Sequence, residues 1–374
     1  MTQTDNYMKN LLYIACMILL VAAYGCSDWT DMENKNYDVT VRSDEYYEQL
    51  RAYKKSDHEV SFGWFGGWTG KGASLYLSLE ELPDSTDLVS IWGQAFPLDN
   101  ERKKDLKYVQ EVKGTRVMTC LILGSIGKGY TPPEINNNWK ELGYETEIDC
   151  LKDYWGYSLD KGIDADVEQA IRRYANAICD TVYKYGYDGF DIDFEPGYIS
   201  SGNLVLQNDR VEIFVEELGK RLGPMSGTGK LLVVDGEPQK MPSSVGKYFD
   251  YFIVQAYSYF AYPPGDKDLN KRLNSTVKNF ASVMTAEEVA RKYIVAEDFE
   301  RAGYATNGGA TNFEDLEGNV MPALIGMARW QPLIDGKTMR KGGIGTYHME
   351  YEYNNLPEYK WLRQGIQIMN PAKQ

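Results

Sequence analysis

An α/β barrel is the fold class that the sequence predicts, and three observations carry it. Eight short apolar stretches recur along the chain, several followed by segments of helical spacing, which is the strand-helix rhythm of a parallel sheet. A length of 374 residues is ordinary for one such barrel and enough to bury a large core. Between Asp188 and Glu195 an otherwise apolar strand carries carboxylates at alternate positions, a pattern that needs a chemical reason.

The first strand is read at 60–65. The loop after it, Gly66-Gly67-Trp68-Thr69-Gly70, either brings backbone and the Trp68 ring close to a ligand or simply turns the chain. Residues 87–92 read as the second strand, 101–112 as a helix and 116–123 as the third strand. Gly124-Ser125-Ile126-Gly127-Lys128 then opens a long segment, 130–162. It is far longer than the usual connection of about 2–6 residues, and long loops at a barrel top serve recognition. Its rings Trp139, Tyr154, Trp155 and Tyr157 are sugar platforms or plain packing. At 166–185, Val167, Ala170, Ile171, Tyr174, Ala175, Ile178 and Val182 recur at helical spacing and deliver the chain into the acidic strand. A second amphipathic helix, 209–222, stops at Gly223-Pro224. The fifth strand, 231–234, leads into Asp235-Gly236-Glu237-Pro238, whose acids either line a site or cap the loop. The sixth strand, 251–257, sets Gln255 and Tyr257 on one face. Residues 293–296 read as the seventh strand, 323–333 as a helix and 343–347 as the eighth, followed by His348-Met349-Glu350.

On the acidic strand, Asp191, Asp193 and Glu195 share one face, while Phe190, Ile192 and Phe194 share the other. A rise of about 3.3 Å per residue brings Asp193 and Glu195 close enough to share a proton. Desolvated carboxyls so close cannot all ionise cheaply, and one held protonated near neutral pH is a general acid. A calcium loop is a poor match, because counting from Asp191 its sixth and twelfth positions hold Pro196 and Gly202 instead of Gly and Glu.

Asp188-Gly189-Phe190-Asp191-Ile192-Asp193-Phe194-Glu195 resembles the D-G-x-D-x-D-x-E signature of glycoside hydrolase family 18, the chitinases and endo-β-N-acetylglucosaminidases, and is complete. The resemblance implies a (β/α)8 TIM barrel with Glu195 at the C-terminal end of the fourth strand. It implies substrate-assisted, retaining hydrolysis without cofactor or metal. In that reaction the substrate's own 2-acetamido oxygen attacks the anomeric carbon while Glu195 protonates the leaving oxygen. Asp193 orients the acetamido N–H, Asp191 holds Asp193 by a shared proton, and Tyr257 and Gln255 fix the acetamido group. Gln255-Ala256-Tyr257 resembles the Q-x-Y of the family's endo-β-N-acetylglucosaminidases, where many chitinases carry Met-x-Tyr. Lys128 replaces the last glycine of the family's S-x-G-G, and no Trp stands at the end of the eighth strand, where Tyr347 or Tyr351 takes its place. Trp68, Trp155 and Tyr347 are the expected substrate contacts. The function expected is cleavage of the GlcNAc-β1,4-GlcNAc core of N-glycans or other GlcNAc-containing glycans. A chitinase and a non-catalytic surface glycan-binding protein are the alternatives.

The net charge of -14 argues against nucleic acid and against general attraction to anionic membranes. At the N-terminus Lys9 precedes an apolar run, 11–23, too short to span a membrane comfortably. Ala23-Tyr24-Gly25-Cys26 resembles a degenerate lipoprotein box, and Ser27-Asp28-Trp29-Thr30-Asp31 resembles surface-export signals of some Gram-negative lipoproteins. The expectation is a signal peptide over 1–25, a tether and lead-in over 26–55 and a catalytic barrel over 56–374. Acylated Cys26 would hold the protein to the outer membrane at the cell surface. Cys120, Cys150 and Cys179 then remain, too few for a disulfide framework, and His58 and His348 lack metal-site spacing.

Overall fold

The computed structural model describes residues 42–72, 75–199, 201–257 and 264–371. Eight strands form the barrel: β1 Val60–Phe65, β2 Leu88–Ile91, β3 Arg116–Ile122, β4 Gly189–Phe194, β5 Leu231–Gly236, β6 Tyr251–Gln255, β7 Tyr293–Asp298 and β8 Gly343–Tyr347. Every neighbouring pair is parallel, and β8 pairs back onto β1, with Val60 opposite Gly343. The (β/α)8 expectation therefore holds, and closure removes the sheet edges.

Alternation along each strand sorts the side chains into two cores. Phe62, Trp64, Leu88, Met118, Val233, Ile253 and Ile294 fill the barrel interior. Val89, Ile91, Phe190, Ile192, Phe194 and Val234 belong instead to the larger core shared with the helices. The inner core is tight where β8 passes β1: a Cβ on Gly345 would lie 2.7 Å from the Phe62 ring.

The longer helices are α1 Asp44–Lys54, α2 Asn100–Tyr108, α3 Glu147–Trp155, α4 Ala165–Tyr185, α5 Asn208–Leu218, α6 Asp266–Phe280, α7 Ala286–Arg291, α8 Ala323–Arg329 and α9 Lys360–Met369. In α4, Asp164 caps the N-terminus by accepting from Val167 N at 2.8 Å, and Gly186 ends the helix in the left-handed region. All seven residues of its predicted apolar stripe are buried, and Val167, Ile171, Ile178 and Val182 each contribute about 1.5–3 kcal/mol of transfer free energy.

Several elements depart from the sequence reading. Helix α8 stops at Arg329 because Trp330 turns into the core, and Leu333–Ile334 pairs with Lys337–Thr338 as a small hairpin. Helices α3, α6, α7 and α9 were not anticipated. From Glu45 onward the lead-in belongs to the same compact unit as the barrel. There Arg51 donates to Val112 O at 2.8 Å and Lys54 to Thr86 O at 2.6 Å, at the end of the barrel remote from Glu195. The residues of the expected export signal, Cys26 included, lie outside the described residues. Among those described, no helix is long and apolar enough to cross a membrane.

Candidate active site

The C-terminal ends of the strands surround a cleft of about 610 Å³ lined by Trp64, Trp92, Asp193, Glu195, Asp235, Gln255, Tyr257 and Tyr347, among others. Strand β4 delivers its acids by alternation. Asp191 lies lowest and is fully buried, Asp193 is half-buried and Glu195 stands at the rim. The register sets Cys120 of β3 beside Asp191 and Asp235 of β5 beside Asp193. Immediately after Asp235 the chain turns at Gly236 with φ 88°, where a Cβ would meet Phe194 O at 2.6 Å.

Each carboxyl has a distinct set of partners. Asp191 Oδ2 accepts from Trp64 Nε1 at 3.0 Å and from Ser90 Oγ at 2.6 Å. Burial nevertheless pushes Asp191 up to about 6, against the lowering effect of those bonds. Asp193 is raised well above the carboxylate range by burial, then by the charges of Glu195 and Asp191. Asp235 is raised likewise by burial, then by the charges of Asp193 and Asp191. Among the described residues no lysine or arginine lines the cleft, so protons neutralise the cluster instead of a cation.

Gln255 ties the upper part together. Its Nε2 donates to Glu195 Oε1 at 2.6 Å and to Asp235 Oδ1 at 2.9 Å. Tyr257 stacks on Tyr347 at 6.1 Å, and burial first, then nearby Asp235, keep its phenol protonated and able to donate. Tyr347 also meets Trp64 edge-on at 6.2 Å and Trp92 at 5.8 Å, which gives the cleft an aromatic wall. Donor atoms of Cys120, Asp191 and Asp235 lie within 4.8 Å of one another. Asp191 Oδ2 already accepts from Trp64 and Ser90, and Asp235 Oδ1 from Gln255, which makes these carboxyls a poor ligand set for a metal ion.

The structure thus brings Glu195, Asp193, Asp191, Gln255, Tyr257 and Tyr347 into one cleft, and it keeps Trp68 and Trp155 out. Trp68 is buried and donates Nε1 to Asp105 at 2.7 Å. Trp155 is buried and donates to Thr131 Oγ1 at 2.8 Å, and it lies so close to Gly127, at φ 89°, that any Cβ there would overlap its ring. Both rings are core residues, because their loops fold back onto α2 and α4 instead of over the cleft. Tyr157 is buried too, accepting from Asn203 at 2.8 Å. Asp235, whose sequence reading left open a site or a loop cap, lines the cleft, and Trp64, Ser90 and Trp92, which were not singled out from sequence, complete the site. Tyr198, 80% exposed, lines both this cleft and a second one of about 590 Å³ that also opens onto Glu195. Of the histidines, His58 bonds Asp87 at 3.0 Å below the barrel, while His348 bonds Glu350 at 2.5 Å beside the cleft and stacks on Tyr351. Cys120, Cys150 and Cys179 are free thiols.

Comparison with known proteins extends the likeness over the whole barrel. A solved structure of BT1044, carrying selenomethionine and one Glu-to-Gln substitution, is 34% identical with a TM-score of 0.72, over 88% of this chain and 93% of that chain. Endo-beta-N-acetylglucosaminidase F2 of Elizabethkingia meningoseptica is 25% identical over 346 residues, 86% of this chain and 85% of the relative. An endo-beta-N-acetylglucosaminidase structure from Cordyceps militaris, 22% identical with a TM-score of 0.58 over 88% of this chain and 97% of that chain, shares the fold. The family model for glycoside hydrolase family 18, BT1044-like, matches residues 24–368, and with its complete acidic strand set in a (β/α)8 barrel this chain belongs to that family.

Proposed function

We propose that the protein is an endo-β-N-acetylglucosaminidase that hydrolyses the GlcNAc-β1,4-GlcNAc core of N-glycans with retention of configuration. The observation that carries this reading is Gln255 bonded to the rim acid Glu195, with Tyr257 two residues further on the same face. An amide and a phenol there present polar atoms to an acetamido group. Both named endo-β-N-acetylglucosaminidase relatives match along most of their length.

The chemistry follows from the proton inventory. Asp193 holds a proton next to Glu195, so Glu195 can be supplied with the proton that it gives to the leaving oxygen. Asp193, relieved of it, accepts the acetamido N–H and faces the positive charge that grows as the acetamido oxygen closes on the anomeric carbon. Tyr257 donates to that oxygen and Gln255 limits its swing. Water then attacks the oxazolinium ion with Glu195 as base. Glu195→Gln removes the acid without emptying the cleft and is expected to lower turnover at least about 10²-fold. Mass spectrometry of a glycoprotein with defined N-glycans and of a chito-oligosaccharide tests the reading. Loss of the glycan leaving one GlcNAc on the protein, absent in the variant, supports it. Cleavage of the chito-oligosaccharide alone favours a chitinase, and equal glycan binding by both proteins without cleavage favours a binding protein.

The cell address belongs to the same proposal. The signal over 1–25, acylation of Cys26 and a tether that leads into the barrel unit make this an outer-membrane lipoprotein at the surface of a Gram-negative cell. The support is the apolar run before Cys26 and the polar stretch behind it. Cys26→Ala is expected to abolish incorporation of labelled fatty acid. Lipid incorporation unaffected by that change would overturn the assignment.

A further inference from the structure

We infer that Asp235 is a positioning residue for the reaction: as the neutral acid it donates its proton to Asp191, and through Gln255 it fixes the amide that faces Glu195. The inference rests on the hydrolase reading above and adds a residue that the D-G-x-D-x-D-x-E motif does not contain.

The geometry assigns the proton. Asp191 Oδ2 is committed to Trp64 and Ser90, and Asp191 Oδ1 is buried with no other donor in reach. Asp235 receives one strong donor, Gln255 Nε2 on Oδ1, and faces the Cys120 thiol at 4.0 Å on Oδ2. Donors stabilise the charged form, so of these two neighbouring acids, whose carboxyl oxygens lie within 4.8 Å of each other, Asp191 with its two donors takes the charge and Asp235 keeps the proton. Burial does not separate the two, since both are fully enclosed, so the donors decide. The groups facing it are Cys120 from β3, Asp191, Asp193 and Glu195 from β4 and its extension, and Gln255 and Tyr257 from β6. None is a cation that would favour a second charge.

The same residue sets the amide. A carboxamide has two N–H bonds, and those of Gln255 are divided between Asp235 at 2.9 Å and Glu195 at 2.6 Å. This division fixes which way the amide is turned, and leaves its oxygen to face a ligand. Without Asp235 the amide is held only by Glu195, the group that must exchange its proton during the reaction. Asp235 therefore acts through Gln255, with no contact to substrate required.

The test compares Asp235→Asn, Asp235→Ala, Gln255→Ala and the double variant Asp235→Ala/Gln255→Ala. Asparagine keeps an acceptor for Gln255 and a donor for Asp191, and is permanently neutral. Asp235→Asn is expected within about threefold of wild-type kcat, with an unmoved pH profile, whereas Asp235→Ala loses about 10- to 100-fold, mainly in kcat. The double variant should be no worse than the poorer single one, because both act on one amide. If Asp235 worked as a charged group, Asn would drag the alkaline limb of the profile to lower pH and cost as much as Ala, and the inference would fail. Additive losses would also overturn it. A readout independent of turnover is the carboxyl carbon signal of ¹³C-labelled aspartate in folded protein at pH 7. A neutral-acid signal missing from Asp235→Asn supports the assignment, and an ionised Asp235 signal refutes it. Product masses from wild type and Glu195→Gln show separately whether the substrate reading fails.

Discussion

Replacing Asp191 by Asn should make the protein more stable at neutral pH and leave it unchanged in acid. Asp191 is fully buried and its acid is raised from 3.8 to about 6, mainly by burial, net of the bonds from Trp64 and Ser90. An acid whose folded value lies above its unfolded value binds more protons when folded, so stability falls as pH rises between the two. The penalty is absent below about pH 4, grows through pH 4–6 and is fully present above about pH 6. A shift of about two units at roughly 1.4 kcal/mol each puts it near 3 kcal/mol, an order of magnitude that is a large share of the stability of a folded domain. Asparagine fills the same volume, still accepts from Trp64 and Ser90 and carries no charge. Urea unfolding of both proteins at steps from pH 4 to 8 confines the effect to this cluster, because titrating groups remote from Asp191 cancel in the difference, while Asp193 and Asp235, relieved of its charge, shift in the same stabilising direction. The advantage of Asp191→Asn should grow from near zero to about 3 kcal/mol across pH 4–6 and then level off. A difference that does not change with pH, or that shrinks as pH rises, would refute the argument that an uncompensated charge sits in the barrel core. Turnover should fall in the same variant, because Asp191 no longer accepts a proton from its neighbours.

Tyr257→Phe keeps the stack on Tyr347 but removes the phenol proposed to donate to the acetamido oxygen; kcat should fall about 10- to 100-fold with little change in melting temperature, measured by glycan release and calorimetry. Trp68→Phe should do the reverse. Losing the bond to Asp105 and part of a buried ring costs about 1–3 kcal/mol in denaturant unfolding, while KM stays within about twofold. A raised KM without loss of stability would return Trp68 to the substrate.

What could be read in the sequence was what is decided locally. The face of a strand follows from counting by two, so Asp191, Asp193 and Glu195 were placed on one side and Phe190, Ile192 and Phe194 on the other, as found. Helix α4 was legible for the same reason, its period and its caps lying within one segment. What could not be read depends on lateral register. From sequence the acids at 235–238 either line a site or cap the loop, and only the pairing of β5 with β4 decides it by making Asp235 a neighbour of Asp193. Trp68 and Trp155 looked like loop rings, but what decides them is Asp105, 37 residues away, and Thr131, 24 residues away. Helix α6 was hidden because no side-chain cap marks its start, and Leu269, Leu273 and Phe280 give it a sparse apolar stripe.

The lock between Trp155, Thr131 and Gly127 reaches beyond packing. It bolts both ends of the long segment after β3 to the barrel, while Glu134, Asn137, Asn138 and Lys140 to Gly143 stand out in solvent. The outer arc is thereby uncoupled from the foundation. Its residues can be exchanged, lengthened or grafted from a relative without the barrel registering the change, provided the tryptophan, the threonine and the glycine travel with the frame. An engineer replacing that arc would cut at the same two joints.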